Sequence, residues 1–342
     1  MKRSSLLLIS GVLLLLIFAL TTDLGEMWLT LHRANYLVLL PGIIAYFIGV
    51  WFRTLRWQVL LQGIKIINAR TLFPIVIIGY MANNILPFRL GELVRGYYLK
   101  NKEEVSTATA LSTIFIERIM DGLALIVILL VSSVFVPFHE IFSRLSDMTK
   151  INPAILVAIF TLPFAMLFLL LTAIALNTQK ALGVFTKCTS RLPKSLASKV
   201  NRFTEDVIEG LNSLTNWKIT IKALLLSLPI WILEAVLFHS VLISLNIIPS
   251  GTSALQVFSS AASITAITNI GASIPSLPGG IGLFELMARE SLMVIETMRV
   301  SRSEAAAFAA LTHLCLILPI VLLGQLFLWN DGLSIRKIQR QI

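Results

Sequence analysis

Residues Asn83–Arg95, Asn-Asn-Ile-Leu-Pro-Phe-Arg-Leu-Gly-Glu-Leu-Val-Arg, interrupt an apolar segment that begins near Leu72. Only about fifteen residues precede Pro87, short of the ~20 that a helix needs to cross the hydrocarbon core of a bilayer. Pro87 donates no backbone hydrogen bond, and Gly91 lets the chain turn. Arg89, Glu92 and Arg95 follow at once; Glu92 and Arg95 share a face of any helix that restarts there. An apolar half-helix, a break and a charged returning half-helix predict a re-entrant hairpin. Broken backbone at membrane depth is tolerated only where it is buried in protein or lines a wet cavity.

The same order of features returns late in the chain. Leu255–Ile274 is mildly apolar and rich in Ser, Thr and Ala. It runs into Asn269-Ile-Gly-Ala-Ser-Ile-Pro-Ser-Leu-Pro-Gly-Gly-Ile-Gly-Leu-Phe-Glu285, with Arg289 one helical turn on. Asn, Pro, Gly, Glu and Arg recur in sequence, and a polar stretch then leads into another long segment each time. The two are one motif, weakly similar in letters and strongly similar in layout.

Composition sets the solvent. Of 342 residues 56% are hydrophobic and 13% charged, against roughly 25% charged in soluble domains. With several apolar runs near twenty residues, this is an all-α polytopic membrane protein. Cys188 and Cys315 lack metal-ligand spacing and the histidines are scattered, so no metal site or cofactor is expected. The net charge of +10 fits basic cytoplasmic loops touching anionic lipid headgroups better than it fits nucleic acid.

In chain order, Lys2 and Arg3 precede a first helix over Ser5–Thr22, expected to be retained rather than cleaved. Tyr36–Leu55 is the second helix, with Arg53, Arg56, Trp57, Lys65 and Arg70 read as its cytoplasmic flank. The first hairpin follows, then a long helix over Ser106–Val136 carrying Glu117, Arg118 and Asp121. Phe138–Asn152 is an outside loop and Ala154–Leu176 returns inward. Asn177–Trp217 is polar and basic, a cytoplasmic helical hairpin too small for a catalytic domain. Ile219–Leu245 spans outward with Glu234 and His239. The second hairpin covers about Leu255–Thr297, and Glu304–Trp329 crosses inward with His313. Arg336, Lys337 and Arg340 end the chain in the cytoplasm. This is one transmembrane domain of about six spanning helices plus two re-entrant hairpins, with both termini cytoplasmic, in the cell membrane. Residues 1–136 and 154–329 repeat the order helix, helix, hairpin, helix from opposite sides. Such inverted repeats place paired broken helices around a midplane site.

Charges at membrane depth are expensive and mark function. Those at issue are Arg89, Glu92, Arg95, Glu117, Arg118, Asp121, Glu234, Glu285, Arg289 and Glu290. Glu117, Arg118 and Asp121 also fit a self-paired group near a helix end, and Arg95 a positive-inside anchor. Glu290 fits the outer interface better, and His239 and His313 fit satisfied core histidines. Arg89, Glu92 and Glu285, beside the breaks, are the least easily explained by structure alone. Gly279 and Gly280 allow backbone that a Cβ blocks. Arginine stays charged while buried carboxylates take up protons, so an anion site requires paired or neutral carboxylates, and proton coupling is compatible with that.

With Pro87-Phe-Arg-Leu-Gly-Glu92-Leu-Val-Arg95, Glu117-Arg118-Ile-Met-Asp121 and Pro278-Gly-Gly-Ile-Gly-Leu-Phe-Glu285, nearly the whole chain resembles the transmembrane region of lysylphosphatidylglycerol synthase, also called the flippase-like integral membrane family. The resemblance implies a multi-pass bacterial or archaeal protein that moves a lipid or a lipid-linked headgroup between leaflets. It carries substrate contact onto Arg89, Glu92, Arg95, Glu117, Arg118, Asp121, Gly279, Gly280 and Glu285. The family's synthases continue into a soluble transferase domain; here the sequence ends at Ile342, so synthase activity is not expected. The partners expected are membrane lipids or lipid-linked glycans.

Two other classes remain open: a carrier for a small soluble anion, and a membrane-embedded transferase acting on an isoprenoid lipid, for which the sequence offers no metal-binding Asp pair or nucleophile. A cysteine placed within Asn177–Trp217 is expected to resist an impermeant thiol reagent applied to intact cells. Ready labelling from the periplasmic side overturns the topology.

Overall fold

A computed structural model describes residues 12–86, 90–136, 150, 152–189, 193–273 and 277–331. Those residues form helices and no strands. Arg89 and Pro87, the Phe138–Asn152 loop apart from Lys150 and Asn152, and the basic residues at both ends of the chain lie outside them. In order the helices are α1 (Val12–Leu20), α2 (Leu24–His32), α3 (Leu39–Leu61), α4 (Ala69–Ile85), α5 (Gly91–Glu103), α6 (Thr107–Ser132) and α7 (Pro153–Leu176). They continue as α8 (Thr178–Thr189), α9 (Lys194–Leu211), α10 (Trp217–Ser244), α11 (Ala254–Gly271), α12 (Leu283–Val294) and α13 (Arg302–Asn330).

The molecule is apolar outside and charged within. Along the middle of α13 the exposed residues are Leu314, Leu318, Leu322 and Leu326, spaced four apart on one stripe. On α3, Leu40, Ile44 and Ile48 face out while Arg53, Arg56 and Trp57 are buried. Soluble proteins reverse this arrangement. Three helices, Tyr36–Leu61 counted with its 3₁₀ turn, Trp217–Ser244 and Arg302–Asn330, are long and apolar enough to cross a membrane. The number rises to five if the bent pairs Val12–Leu20 with Leu24–His32 and Leu162–Leu176 with Thr178–Lys187 each count as one span.

Two boundaries differ from the sequence reading. The first helix stops at Leu20, and the chain turns by 85° into α2. Asp23 caps α2 by accepting from the Gly25 and Glu26 amides at 2.9 and 3.1 Å. The second helix does not end near Leu55. It continues to Leu61, so Arg53, Arg56 and Trp57 are interior residues rather than an interfacial flank. Their charges are tolerated there because other helices bring carboxylates to meet them.

Both breaks separate packed pairs of helices, α4 with α5 and α11 with α12. At the first break, Asn83 Oδ1 accepts from the Gly91 amide at 2.8 Å, binding the start of α5 to the end of α4. The helices then approach so closely that a Cβ on Gly91 would lie 2.0 Å from the Gly79 carbonyl oxygen. The two long helices α3 and α10 pack along each other, α4 packs on α13, and α11 packs on α6. Helices α8 and α9 fold against one another, and α9 lies on α6.

Gly91→Ala is expected to lower stability by about 1–3 kcal/mol, the usual range for overpacking a close contact. Gly183→Ala, where an added Cβ meets open space, is expected to leave it unchanged or slightly raised. Thermal unfolding of the two purified variants beside wild type measures the difference.

Candidate functional site

A cavity of about 200 Å³ lies between the two breaks. Asn83, Asn84, Leu86 and Glu92 flank the first break; Asn269, Ala272, Leu277, Gly279, Gly280 and Phe284 flank the second. Four long helices supply the remaining walls from near their mid-length: Tyr46 and Arg53 from α3, Arg118 from α6, Trp231 and Glu234 from α10, and His313, Leu316 and Ile317 from α13. Tyr80 of α4 completes the polar lining. Charged and amide side chains thus collect midway along helices whose outer faces are apolar.

Each cavity arginine already has an acid. Arg53 Nη2 donates to Glu234 Oε2 at 2.7 Å, and its Nη1 reaches the Tyr80 hydroxyl at 3.3 Å. Its guanidinium lies over the Trp231 ring, 4.5 Å from the centroid. Asn269 Nδ2 donates to the other Glu234 oxygen at 2.9 Å. Arg118 Nε donates to Glu92 Oε1 at 3.0 Å, and its Nη1 sits 3.4 Å from Asp121 Oδ2.

Behind this wall lies a second tier away from the cavity. Arg56 Nη1 donates to Asp121 Oδ1 at 2.6 Å and to the Ser227 hydroxyl at 2.8 Å. The indole N–H of Trp231 reaches the same Asp121 oxygen at 3.1 Å. Glu117 stands between Arg56 at 3.5 Å and Arg95 at 2.9 Å, and Arg95 stacks on Trp57, 4.1 Å from its ring centroid. Arg53, Arg56, Arg95 and Arg118 therefore face Glu92, Glu117, Asp121 and Glu234. The network balances when all ionise, which is what makes it tolerable in a buried position.

At the second break Gly279, Gly280 and Gly282 have φ of 69°, 79° and 87°, a region that disfavours any residue with a Cβ. The Gly282 amide donates to Glu285 Oε2 at 2.7 Å. Glu285 Oε1 meets His313 Nδ1 at 2.6 Å, and His313 Nε2 lies 2.9 Å from the Gly279 carbonyl oxygen. Phe284 stacks on the imidazole at 4.1 Å.

Of the residues singled out from sequence, Glu92, Arg118, Glu234, Gly279 and Gly280 line the cavity. Glu117, Asp121 and Arg95 form the tier behind it, and Glu285 touches it through His313. Arg89 lies outside the described residues. Arg289 is brought elsewhere: its Nη1 donates to the Phe18 carbonyl at 3.2 Å and to the Thr21 and Thr22 hydroxyls at 2.9 Å. It also pairs with Glu290 at 2.7 Å. It closes the C-terminal end of α1, where a cation is favoured by the helix dipole. Sequence reasoning treated Arg53 and Arg56 as loop anchors because Arg70 and Lys65 follow them. The one available signal was the Glu234 charge deep in α10, which requires a buried cation.

The family model described as "Lysylphosphatidylglycerol synthase TM region" matches residues 5–324 of the chain. A UPF0104 membrane protein of Methanothermobacter thermautotrophicus is 24% identical over 82% of this chain and 82% of its own length. A UPF0104 membrane protein of Methanocaldococcus jannaschii is 27% identical over 75% of this chain and 96% of its own. No solved structure matches the chain.

Removing one partner of the second tier leaves a buried charge uncompensated. Arg56→Met is expected to cost roughly 3–5 kcal/mol, and adding Asp121→Asn to recover part of it. Unfolding midpoints of the two single variants and the double variant give the coupling. Simple additivity contradicts the pairing.

Proposed function

Because the chain belongs to the lysylphosphatidylglycerol synthase TM region family, we propose that it moves a lipid, or a lipid-linked anionic headgroup, between membrane leaflets through the cavity between its two breaks. The observation that carries this reading is the concentration of paired charges, amides and aromatic rings at mid-length of helices that are otherwise apolar. A headgroup finds hydrogen-bonding partners there while its acyl chains stay in the bilayer.

In this reading the chain is an inverted repeat of six spanning helices and two re-entrant hairpins. The packing supports it. Matching α3 to α10, α4 to α11, α5 to α12 and α6 to α13 makes the α4–α13 contact correspond to the α6–α11 contact, and the α5–α6 contact to the α12–α13 contact. The side chains support it too. In each half an acid in the first turn of the returning helix pairs with a base on the next long helix, Glu92 with Arg118 and Glu285 with His313. In an inverted repeat, elements so related approach a shared site from opposite leaflets.

Arg53 and Arg118 are the groups that face a headgroup phosphate. Each presents a planar array of five N–H donors. Two of Arg118's three nitrogens are held by Glu92 and Asp121, so a phosphate approaches an arginine already oriented by its acids. The cavity as a whole is charge-balanced. A headgroup therefore binds by exchanging with a carboxylate or by bringing its own polar groups to the amides of Asn83, Asn84 and Asn269. Arg95, behind the wall, positions Glu117 rather than touching substrate.

Lysine keeps the charge but loses the planar two-point grip. Arg53→Lys and Arg118→Lys proteins, reconstituted at equal amounts, are expected to exchange labelled phospholipid between liposome leaflets about tenfold more slowly than wild type, the equivalent of one lost charged hydrogen bond. Wild-type rates in both overturn the assignment. Uptake of a soluble anion without lipid exchange favours a small-anion carrier instead.

A further inference from the structure

The contact between His313 and Glu285 calls for a proton that a neutral imidazole does not supply. The Gly279 carbonyl oxygen only accepts, so His313 Nε2, 2.9 Å away, carries a hydrogen. A neutral ring then has a bare lone pair at Nδ1, facing a carboxylate oxygen at 2.6 Å. Two acceptors at that distance repel unless a proton lies between them. The geometry is satisfied when the pair holds one proton more than imidazole plus carboxylate.

That proton joins two points of one short segment. Glu285 holds the Gly282 amide at 2.7 Å, and His313 holds the Gly279 carbonyl. The left-handed glycines 279, 280 and 282 lie on this segment, and Gly279, Gly280 and His313 line the cavity. In the first half the equivalent acid, Glu92, is matched to Arg118 at 3.0 Å. Arginine keeps its proton at any accessible pH; imidazole does not. The two breaks thus carry the same kind of clasp, one fixed and one titratable.

We propose that Glu285 and His313 form a proton-binding site that latches the second break against α13, and that release of this proton into the cavity frees the Gly279 end. On release one N–H bond of the imidazolium breaks, its electron pair stays on nitrogen, and the proton leaves. The ring keeps one N–H, which serves Gly279 or Glu285 but not both. The latch holds at low pH and opens as pH rises through the midpoint of the pair. It stands on this geometry; only its consequence for lipid movement rests on the transport reading above.

The other ionisable groups around His313 leave Glu285 as its direct counter-charge. Across the cavity, Arg53 of α3 is matched by Glu234 of α10, and Arg118 of α6 by Glu92 of α5. Tyr46 and Tyr80 complete that wall. On α12, Arg289 and Glu290 pair with each other, and Arg289 reaches the end of α1. Asp23, before α2, and Glu26 and His32 on it are exposed. On α13 itself, Glu304 accepts from the Ser301 amide in the first turn.

The full-length protein, labelled with ¹⁵N-histidine in lipid nanodiscs, tests this directly. It has 4 histidines, and comparison with His313→Gln identifies the signal. His313 is expected to be protonated on both nitrogens at low pH and to lose one proton as pH rises. Hydrogen exchange at residues 279–282, corrected for its intrinsic pH dependence, is expected to speed up about fivefold or more at the same midpoint, the loss of one buried hydrogen bond. Glu285→Gln is expected to shift the His313 titration to lower pH. His313→Arg, which copies the fixed clasp of the first half, is expected to keep protection with no pH dependence. A His313 with a single N–H at every pH overturns the proposal, as does exchange at 279–282 that ignores the titration. Neither readout depends on lipid movement, so absence of leaflet exchange beside a titrating latch overturns the transport reading alone.

Discussion

Charge matching inside an apolar shell is the constraint on which the structure depends. Arg53, Arg56 and Arg118 lie within helices whose exposed faces are apolar, and Arg95 is buried on α5; each is within ion-pair distance of a carboxylate from another helix or from its own next turn. An unpaired buried ion carries a desolvation penalty of several kcal/mol, which a close counter-charge offsets. The pairs run from α3 to α6 and α10, and from α5 to α6. They therefore fix which faces of these helices meet, something apolar side chains do poorly when the surroundings are equally apolar.

The two breaks depend on the same economy. Each exposes backbone groups that a continuous helix satisfies internally, and each is closed by a nearby side chain. Asn83 takes the Gly91 amide at the first, and Glu285 takes the Gly282 amide at the second. Both then connect to the charge network or to His313. The cavity is what remains where two such clasps and four mid-helix walls fail to fill the space.

The N-terminal region obeys the rule on a smaller scale. Arg289 is nearly fully buried, yet its partners are the Phe18 carbonyl, the Thr21 and Thr22 hydroxyls and Glu290. A residue placed one turn after the second break by sequence thus serves a helix end. Its charge meets the Phe18 carbonyl and two threonine hydroxyls at the bend between α1 and α2.

The sequence by itself determined the solvent, the helical class and the two interruptions, because these depend on local chemistry: runs of apolar residues, the missing N–H of proline and the missing Cβ of glycine. It also pointed to Glu92, Gly279 and Gly280 beside those interruptions, and to Arg118 and Glu234 within long helices, all of which line the cavity. Only the tertiary structure decided that Arg53 and Arg56 belong to the interior. Their neighbours Lys65 and Arg70 make them look like a cytoplasmic flank, and the acids that retain them, Asp121 and Glu234, lie far along the chain. It likewise paired His313 with Glu285 and sent Arg289 to α1. A charge is legible from sequence; its counter-charge is a matter of which helix faces which, and that is set by long-range packing.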